Sequence, residues 1–239
     1  MPSRRGGREP VARAGGAAVL PEVFGIAEKP IVEAVQKALD AAKAQERKFT
    51  QSVDLAILLK NVDLSVPKNR IDEDIILPKG RGKPARIGVF AAGEGAAKAK
   101  RVADVVIQPD EFEAFTKNKR AFKKTVNDMT YFLAEAPLMA NIGKSLGVVL
   151  GPRGKMPRPI PPGSDPTPQV NNLRNTVKVR SKDKKVFHTM VGSVSMSAED
   201  IADNIEAVLK RVEAKLEHGR MNVGSVVVKT TMGPGVRVV

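Results

Sequence analysis

The sequence predicts a mixed α/β fold of two parts, and three observations carry that expectation. Between about residues 67 and 160, strand-like and helix-like patterns alternate, which implies crossover connections and a small parallel sheet of the doubly wound kind. A lone amphipathic helix and a lone alternating strand precede that block, and further strands with one well-specified helix follow it. Pro157, Pro159, Pro161, Pro162, Pro166 and Pro168 crowd into the stretch between, where neither helix nor strand periodicity continues, so a linker or domain border is expected there.

The first segment, MPSRRGGREPVARAGGAAVLPE, mixes Arg4, Arg5, Arg8 and Arg13 with glycine and alanine and reads as a disordered basic arm through residue 28. Its AAVL is shorter than a secretory signal needs, and serine is scarcer than in a transit peptide. In PIVEAVQKALDAAKA, Pro30 suits a first helical position, and Ile31, Val35, Ala38, Leu39 and Ala42 share one face. In KFTQSVDLAILLKNVD the period changes to two: Val53, Leu55, Ile57 and Leu59 point one way, Ser52, Asp54, Ala56 and Lys60 the other. The middle block then reads DIILP and RIGVFA as strands, a glycine turn, helical AAKAKRVA, strand DVVI, two basic helical stretches, strand YFLA and helical APLMANIGKSLG. Beyond the prolines, NTVKVR and KVFHTMV are strands. Ser197 is an N-cap with Asp200 three residues on, ahead of the stripe Ile201, Ile205, Leu209, Val212 and Leu216.

A lone helix and strand cannot bury their apolar faces. The economical solution pairs them with the C-terminal strands and helix, making one α+β unit from both chain ends with the middle block inserted. Pattern alone does not settle this arrangement.

Composition narrows function. Of 239 residues, 40 are Lys or Arg and 26 Asp or Glu, a formal charge of +14, so the field of the molecule attracts polyanions, nucleic acid foremost. No apolar run approaches the roughly 20 residues of a membrane span. The chain has no cysteine, which removes disulfides, thiolate metal sites and thiol nucleophiles and fits a reducing cytoplasm. His188 and His218 form no spaced ligand cluster, so no metal is expected. With one tyrosine, no tryptophan and eight phenylalanines, the chain lacks the aromatic platform of single-strand RNA readers. A structured RNA, read through shape, phosphate and 2′-hydroxyls, is the better fit.

Three motifs bear on chemistry. GVFAAGEGAAKAK has Gly93 and Gly95 after a strand but lacks the third glycine of a dinucleotide fingerprint, and a tight β-α turn explains it. LGPRGKMP fails as a Walker loop at Val149 and Met156. Arg153 and Lys155 on this turn can meet phosphate through charge and backbone N–H, and a solvated basic turn explains them equally well. Near the C-terminus, VVVKTTMGPGVRVV interrupts a valine strand with two hydroxyls, a methionine and Gly-Pro-Gly, more than a hairpin turn requires. No acid-base dyad is apparent, so no catalytic residue is expected. The competing reading is a nucleotide-dependent enzyme built on the middle block.

Taken in order, KFTQSVD, LGPRGKMP, HTMVG after VRSKDKK, and KTTMGPGVRVV resemble the large-subunit ribosomal protein one family, in the form of its archaeal and eukaryotic branch. The resemblance runs from about residue 29 to the end. It implies an α+β RNA-binding domain over 1–67 and 161–239, with a Rossmann-like α/β domain inserted at 68–160. It implies RNA-facing residues Lys48, Phe49, Ser52 and Asp54, then Thr231, Met232, Gly233 and Pro234, with Arg180 and His188 on the strands between. A secondary RNA contact is implied at Gly151, Arg153, Gly154 and Lys155. No cofactor is implied. The expected partners are large-subunit ribosomal RNA, exit-site tRNA and the protein's own mRNA, for a cytoplasmic, ribosome-associated protein that is monomeric when free.

Overall fold

The computed structural model describes residues 28–44 and 47–238. The basic arm therefore lies outside the described residues, except Glu28, which already belongs to helix α1 (Glu28–Lys43). Pro30 sits in the first turn, where a missing N–H costs nothing. The predicted stripe of Ile31, Val35, Ala38, Leu39 and Ala42 is buried.

Strand β1 (Ser52–Leu59) follows. Its Val53, Leu55, Ile57 and Leu59 are at most 1% exposed, so the two-residue period decides which face meets the core. Next come β2 (Asp72–Ile76), β3 (Ile87–Phe90), α2 (Gly93–Ala99), β4 (Val105–Ile107), α3 (Glu111–Lys117), α4 (Lys119–Asp128) and β5 (Tyr131–Glu135). Then follow α5 (Met139–Ser145), α6 (Gly147–Leu150), β6 (Arg158–Ile160) and α7 (Thr167–Arg174). The chain closes with β7 (Thr176–Arg180), β8 (Val186–Ser193), α8 (Ala198–Lys215), β9 (Val223–Thr230) and β10 (Gly235–Arg237).

Both chain ends build one antiparallel sheet in the order β10-β9-β1-β8, with β1 between β9 and β8. Helices α1 and α8 cover one face of it, and their apolar stripes join Val53, Leu55, Ile57, Val191, Val226 and Val228 in one core. Ser197 caps α8 as its sequence predicts, accepting from the Asp200 N–H at 3.1 Å while donating to the Asp200 carboxylate at 2.7 Å.

The insert holds a four-stranded parallel sheet in the order β4-β3-β5-β6. On one face α3 to α6 pack Phe112, Phe122, Val126, Ile142 and Leu150 against Phe90 and Phe132. On the other, α2 and α7 pack Ala96, Ala99, Val170 and Leu173 against Ile87, Val89 and Leu133. Helices on both faces of a parallel sheet make this the doubly wound unit that the alternation predicted.

Three local expectations change. DIILP is not in the parallel sheet: β2 pairs antiparallel with β7 in a separate ribbon, and Ile71, Ile75 and Leu77 enter the core built by the chain ends. An apolar run of that length encodes no partner. The proline-rich border contains β6 and α7. Pro159 is tolerated because β6 is an edge strand with one neighbour, and Pro168 because it lies in the first turn of α7. Finally, APLMANIGKSLG is a 3-10 turn and two short helices rather than one helix.

Asn204, fully buried on α8, ties these pieces together. Its Oδ1 accepts from the Lys79 N–H at 3.1 Å, and its Nδ2 donates to the carbonyls of Gly80 at 2.8 Å and Val191 at 2.9 Å. Replacing it leaves the buried Val191 carbonyl and two partly buried backbone groups of Lys79 and Gly80 without partners, a buried one worth about 1 to 3 kcal/mol. Asn204→Ala is therefore expected to destabilise the fold by about 3 kcal/mol, read as a lower urea midpoint at an unchanged slope.

Candidate functional site

The feature that distinguishes the sheet is its corner, where β1 begins and β9 ends. Val53 is in register with Thr230, which brings Ser52 beside Thr231 across 179 residues of chain. The Thr231 N–H donates to the Ser52 carbonyl at 3.1 Å, and the Ser52 N–H donates to Thr231 Oγ1 at 3.1 Å. The two hydroxyls lie 3.1 Å apart, within hydrogen-bond distance with either able to donate, and the Thr231 hydroxyl also reaches the Ser52 carbonyl as a donor at 3.3 Å. The loop after Thr231 is fixed as well: the Met232 N–H donates to Gln51 Oε1 at 3.1 Å and the Gly233 N–H to the Thr230 carbonyl at 3.3 Å. Gly233 is buried, and a Cβ there would collide with Thr230 Oγ1, so the tight return of the loop requires glycine.

On this frame the flanking side chains stand out into solvent. Phe49 is 53% and Met232 52% exposed, although both are large and apolar, and Lys48 and Pro234 are exposed beside them. Away from the corner, the sheet face that no helix covers carries Asp54, with Lys229 as its cross-strand neighbour on β9 and Met190 on β8. His188 is exposed one pair further along, opposite Ala56. Partial burial lifts the Asp54 carboxyl above its ordinary range, and the positive fields of His188 and Lys229 offset only part of that. The sheet thus holds a destabilised carboxylate between two basic side chains.

Phe49, Ser52, Asp54, His188, Thr231, Met232 and Gly233 accordingly fall on one sheet and its rim. Arg180 does not. It lies on the β2–β7 ribbon, ion-paired to Asp72 at 3.0 Å.

The turn of Gly151, Arg153, Gly154 and Lys155 lies in the insert, with Lys155 turned onto the chain and Arg153 exposed. The Lys155 ammonium donates to the carbonyls of Val126 at 2.8 Å, Asn127 at 3.3 Å and Met129 at 2.6 Å, satisfying the C-terminal end of α4. Arg153 donates to Asn127 Oδ1 and to the Val149 carbonyl, both at 3.1 Å. Burial, helped by neighbouring Arg153, pushes the Lys155 pKa down.

Sequence reasoning missed Gln51, Thr230 and Lys229. Gln51 carried a signal, being a polar residue in two-residue phase with the apolar face of Val53, Leu55 and Ile57, and the structure buries it to 5% exposure. The other two depend on strand register, which no local pattern supplies.

The Rossmann-like insert offers no open nucleotide cradle. Its topological switch point lies between β3 and β5, where such folds bind phosphate at the carboxyl ends of the strands. There the Glu135 carboxylate already accepts from the Ala92 N–H at 3.3 Å and fills the space over Gly95. The protein's own anion stands where a pyrophosphate would sit. Among the described residues no group of His, Asp and Glu could hold a metal ion, and no helix is long and apolar enough to cross a membrane.

The chain is thus a basic two-part α/β protein with a hydroxyl-lined sheet corner and a self-filled nucleotide cradle. The chain belongs to the Ribosomal protein L1p/L10e family, whose model matches residues 40–234. It is 53% identical to the large ribosomal subunit protein uL1 of Thermoplasma volcanium over 206 residues, 85% of this chain and 95% of that one. It is 50% identical to the protein of the same name from Methanocella arvoryzae over 214 residues, 89% of this chain and 100% of that one. The motifs point to the archaeal and eukaryotic branch, and these relatives are archaeal.

Two outcomes follow from the geometry. Lys155→Met removes three charge-assisted bonds from α4, so the insert should lose about 2 kcal/mol, read as faster amide exchange in α4 than in α8. Asp54→Asn should not lower the stability of the free protein at neutral pH. Because the folded pKa of Asp54 is raised, ionisation opposes folding above that pKa. The penalty fades as pH falls through the folded value toward the unfolded one, so any advantage of the Asn variant should disappear below the ordinary carboxylate range in thermal melts.

Proposed function

We propose that the protein is a structural constituent of the large ribosomal subunit that binds a folded region of large-subunit ribosomal RNA through the β1–β9 corner. The observation that carries this reading is the Ser52–Thr231 pair, two hydroxyls locked together at the rim of an open sheet face. Hydroxyls held by backbone bonds can exchange hydrogen bonds with ribose 2′-hydroxyls across a shallow minor groove, the one feature that distinguishes RNA from DNA there. Asp54 accepts from a further ribose, Met232 and Phe49 pack on sugar or base faces, and Gly233 lets backbone approach closely. Lys48, Pro234 and His188 border the same surface. Support comes from the relatives, each named as a large ribosomal subunit protein.

In the same reading the two cores are two domains, the insert joined to the RNA-binding domain by the β2–β7 ribbon and its flanks. The bound protein forms the mobile stalk beside the exit site, assisting release of deacylated tRNA, in the cytoplasm on ribosomes, and it is monomeric when free. The corner also binds the protein's own mRNA and represses its translation. Arg180 and the turn at Gly151, Arg153 and Gly154 supply secondary phosphate contacts. Lys155 holds that turn in place.

The experiment compares hydroxyl removal with hydroxyl retention. Thr231→Val should weaken binding to the ribosomal RNA fragment that survives nuclease digestion on the wild-type protein by about 1 to 2 kcal/mol, roughly 5- to 30-fold. Thr231 Oγ1 also accepts from the Ser52 N–H, so a small loss of stability should accompany it. Thr231→Ser, which restores both roles, should bind as wild type. Equal affinity of the Val variant would remove the corner from the interface.

A further inference from the structure

Several basic side chains on this protein face carboxylates. Lys79 meets Asp200 and Asp203, Lys178 and Arg180 meet Asp72, Arg211 and Lys215 meet Glu73, and Arg158 meets Asp74. A cleft of about 320 Å³ lies where the chain crosses into the insert, lined by Arg81, Lys83, Arg86, Asp128, Thr130 and Met190. Three cations there face one carboxylate, and among the described residues none of the three is ion-paired.

Arg81 is the unusual member. Its Nη2 meets only the Met190 sulfur, at 3.6 Å, while Nε and Nη1 are buried with no hydrogen-bond partner. Desolvation pushes its pKa down, in keeping with that isolation. Three buried N–H donors on Nε and Nη1 without an acceptor are costly, and a phosphate supplies acceptors in the matching planar geometry. Lys83 and Arg86 are exposed on the same crossing.

The cleft also has a position. Met190 is the cross-strand neighbour of Asp54 on the open sheet face, while Asp128 and Thr130 come from the insert. An anion seated there touches both parts of the protein and continues the surface that begins at the Ser52–Thr231 corner.

We propose that this cleft binds phosphodiester groups of the RNA held at the corner, with Arg81, Lys83 and Arg86 as the phosphate ligands. The proposal rests on the RNA-binding reading above. Three cations spaced along a crossing, in a cleft open toward the recognition face, suit successive phosphates of a strand better than one small ion. Because the ligands reach the RNA from the crossing itself, binding also holds the insert at a defined angle to the sheet.

The test measures affinity of the full chain for the nuclease-resistant ribosomal RNA fragment across a series of KCl concentrations. Lys83→Gln/Arg86→Gln changes two exposed side chains and should not disturb folding. Its slope of log K against log salt should flatten by about 1.4 to 1.8, taking 0.7 to 0.9 per lost phosphate contact from nucleic acids generally. Arg81→Gln should flatten it further, and Arg81→Lys should restore much of it. Lys37→Gln, a charge loss on the exposed side of α1, should leave the slope closer to wild type than either cleft variant. A double variant with the wild-type slope overturns the proposal. So does a cleft whose amide signals shift with inorganic phosphate at constant ionic strength while the RNA slope stays fixed, since that marks a free-anion site. If wild type shows no preference for this RNA and Thr231→Val changes nothing, the functional reading has failed instead.

Discussion

The structure depends on β1 lying between β8 and β9. That strand comes from the first quarter of the chain, its partners from the last, and everything between must close as a loop before the sheet exists. The entropic cost of so long a closure grows only with the logarithm of its length, about 0.6 kcal/mol for each doubling. An insert of any size is therefore tolerated if it folds by itself, and the separate apolar clusters on both faces of the parallel sheet meet that condition. Return of the chain to the correct register matters more. A slip of one residue would expose Val53, Leu55, Ile57 and Leu59 and separate Ser52 from Thr231, so the core that stabilises the sheet also positions the corner.

The insert satisfies its own ends. Lys155 satisfies carbonyls at the close of α4, and Glu135 accepts a backbone N–H at the start of α2, the switch-point end where a doubly wound unit usually binds its ligand. A scaffold of nucleotide-binding type is in this way closed to nucleotide without losing its packing. Fold class and chemistry are separable here, and only the side chains at the switch point reveal it.

What the sequence made legible follows the range of the interaction involved. The alternation of β1, the cap and stripe of α8 and the strand-helix rhythm of the insert are encoded within a few residues, and each is present in the structure. DIILP was misassigned to the parallel sheet because a short apolar run does not name its partner, and β6 was hidden because prolines that break a central strand are harmless at an edge. At the site, the residue types in FTQS and TTMGPG carried the resemblance, but not that the two hydroxyls bond to each other, that Gln51 holds the loop, or that Lys229 faces Asp54. Those facts belong to register and tertiary contact. The inward turn of Lys155 has the same origin: a lysine beside glycines reads as a free charge until the carbonyls of α4 are placed next to it.

Asp54 shows what such a surface requires. In a protein with a charge of +14, a carboxylate could sit almost anywhere with profit, yet this one is placed where partial burial disfavours its ionised form. Val53 and Leu55 beside it follow from packing, and an alanine or threonine at position 54 would cost the sheet less. The positive fields of His188 and Lys229 offset part of that cost without an ion pair to the carboxylate, which leaves its oxygens available to a donor from outside. A group held above its ordinary pKa with spare acceptor capacity is poised for a hydroxyl donor, because a bond from a neutral donor offsets desolvation without the counterion penalty that a phosphate would bring. Cations that draw in a polyanion and a carboxylate that repels it can then share one face. In the proposed RNA-binding reading, the former fix where the backbone runs, and the latter admits it only where a hydroxyl, rather than a phosphate, faces the sheet.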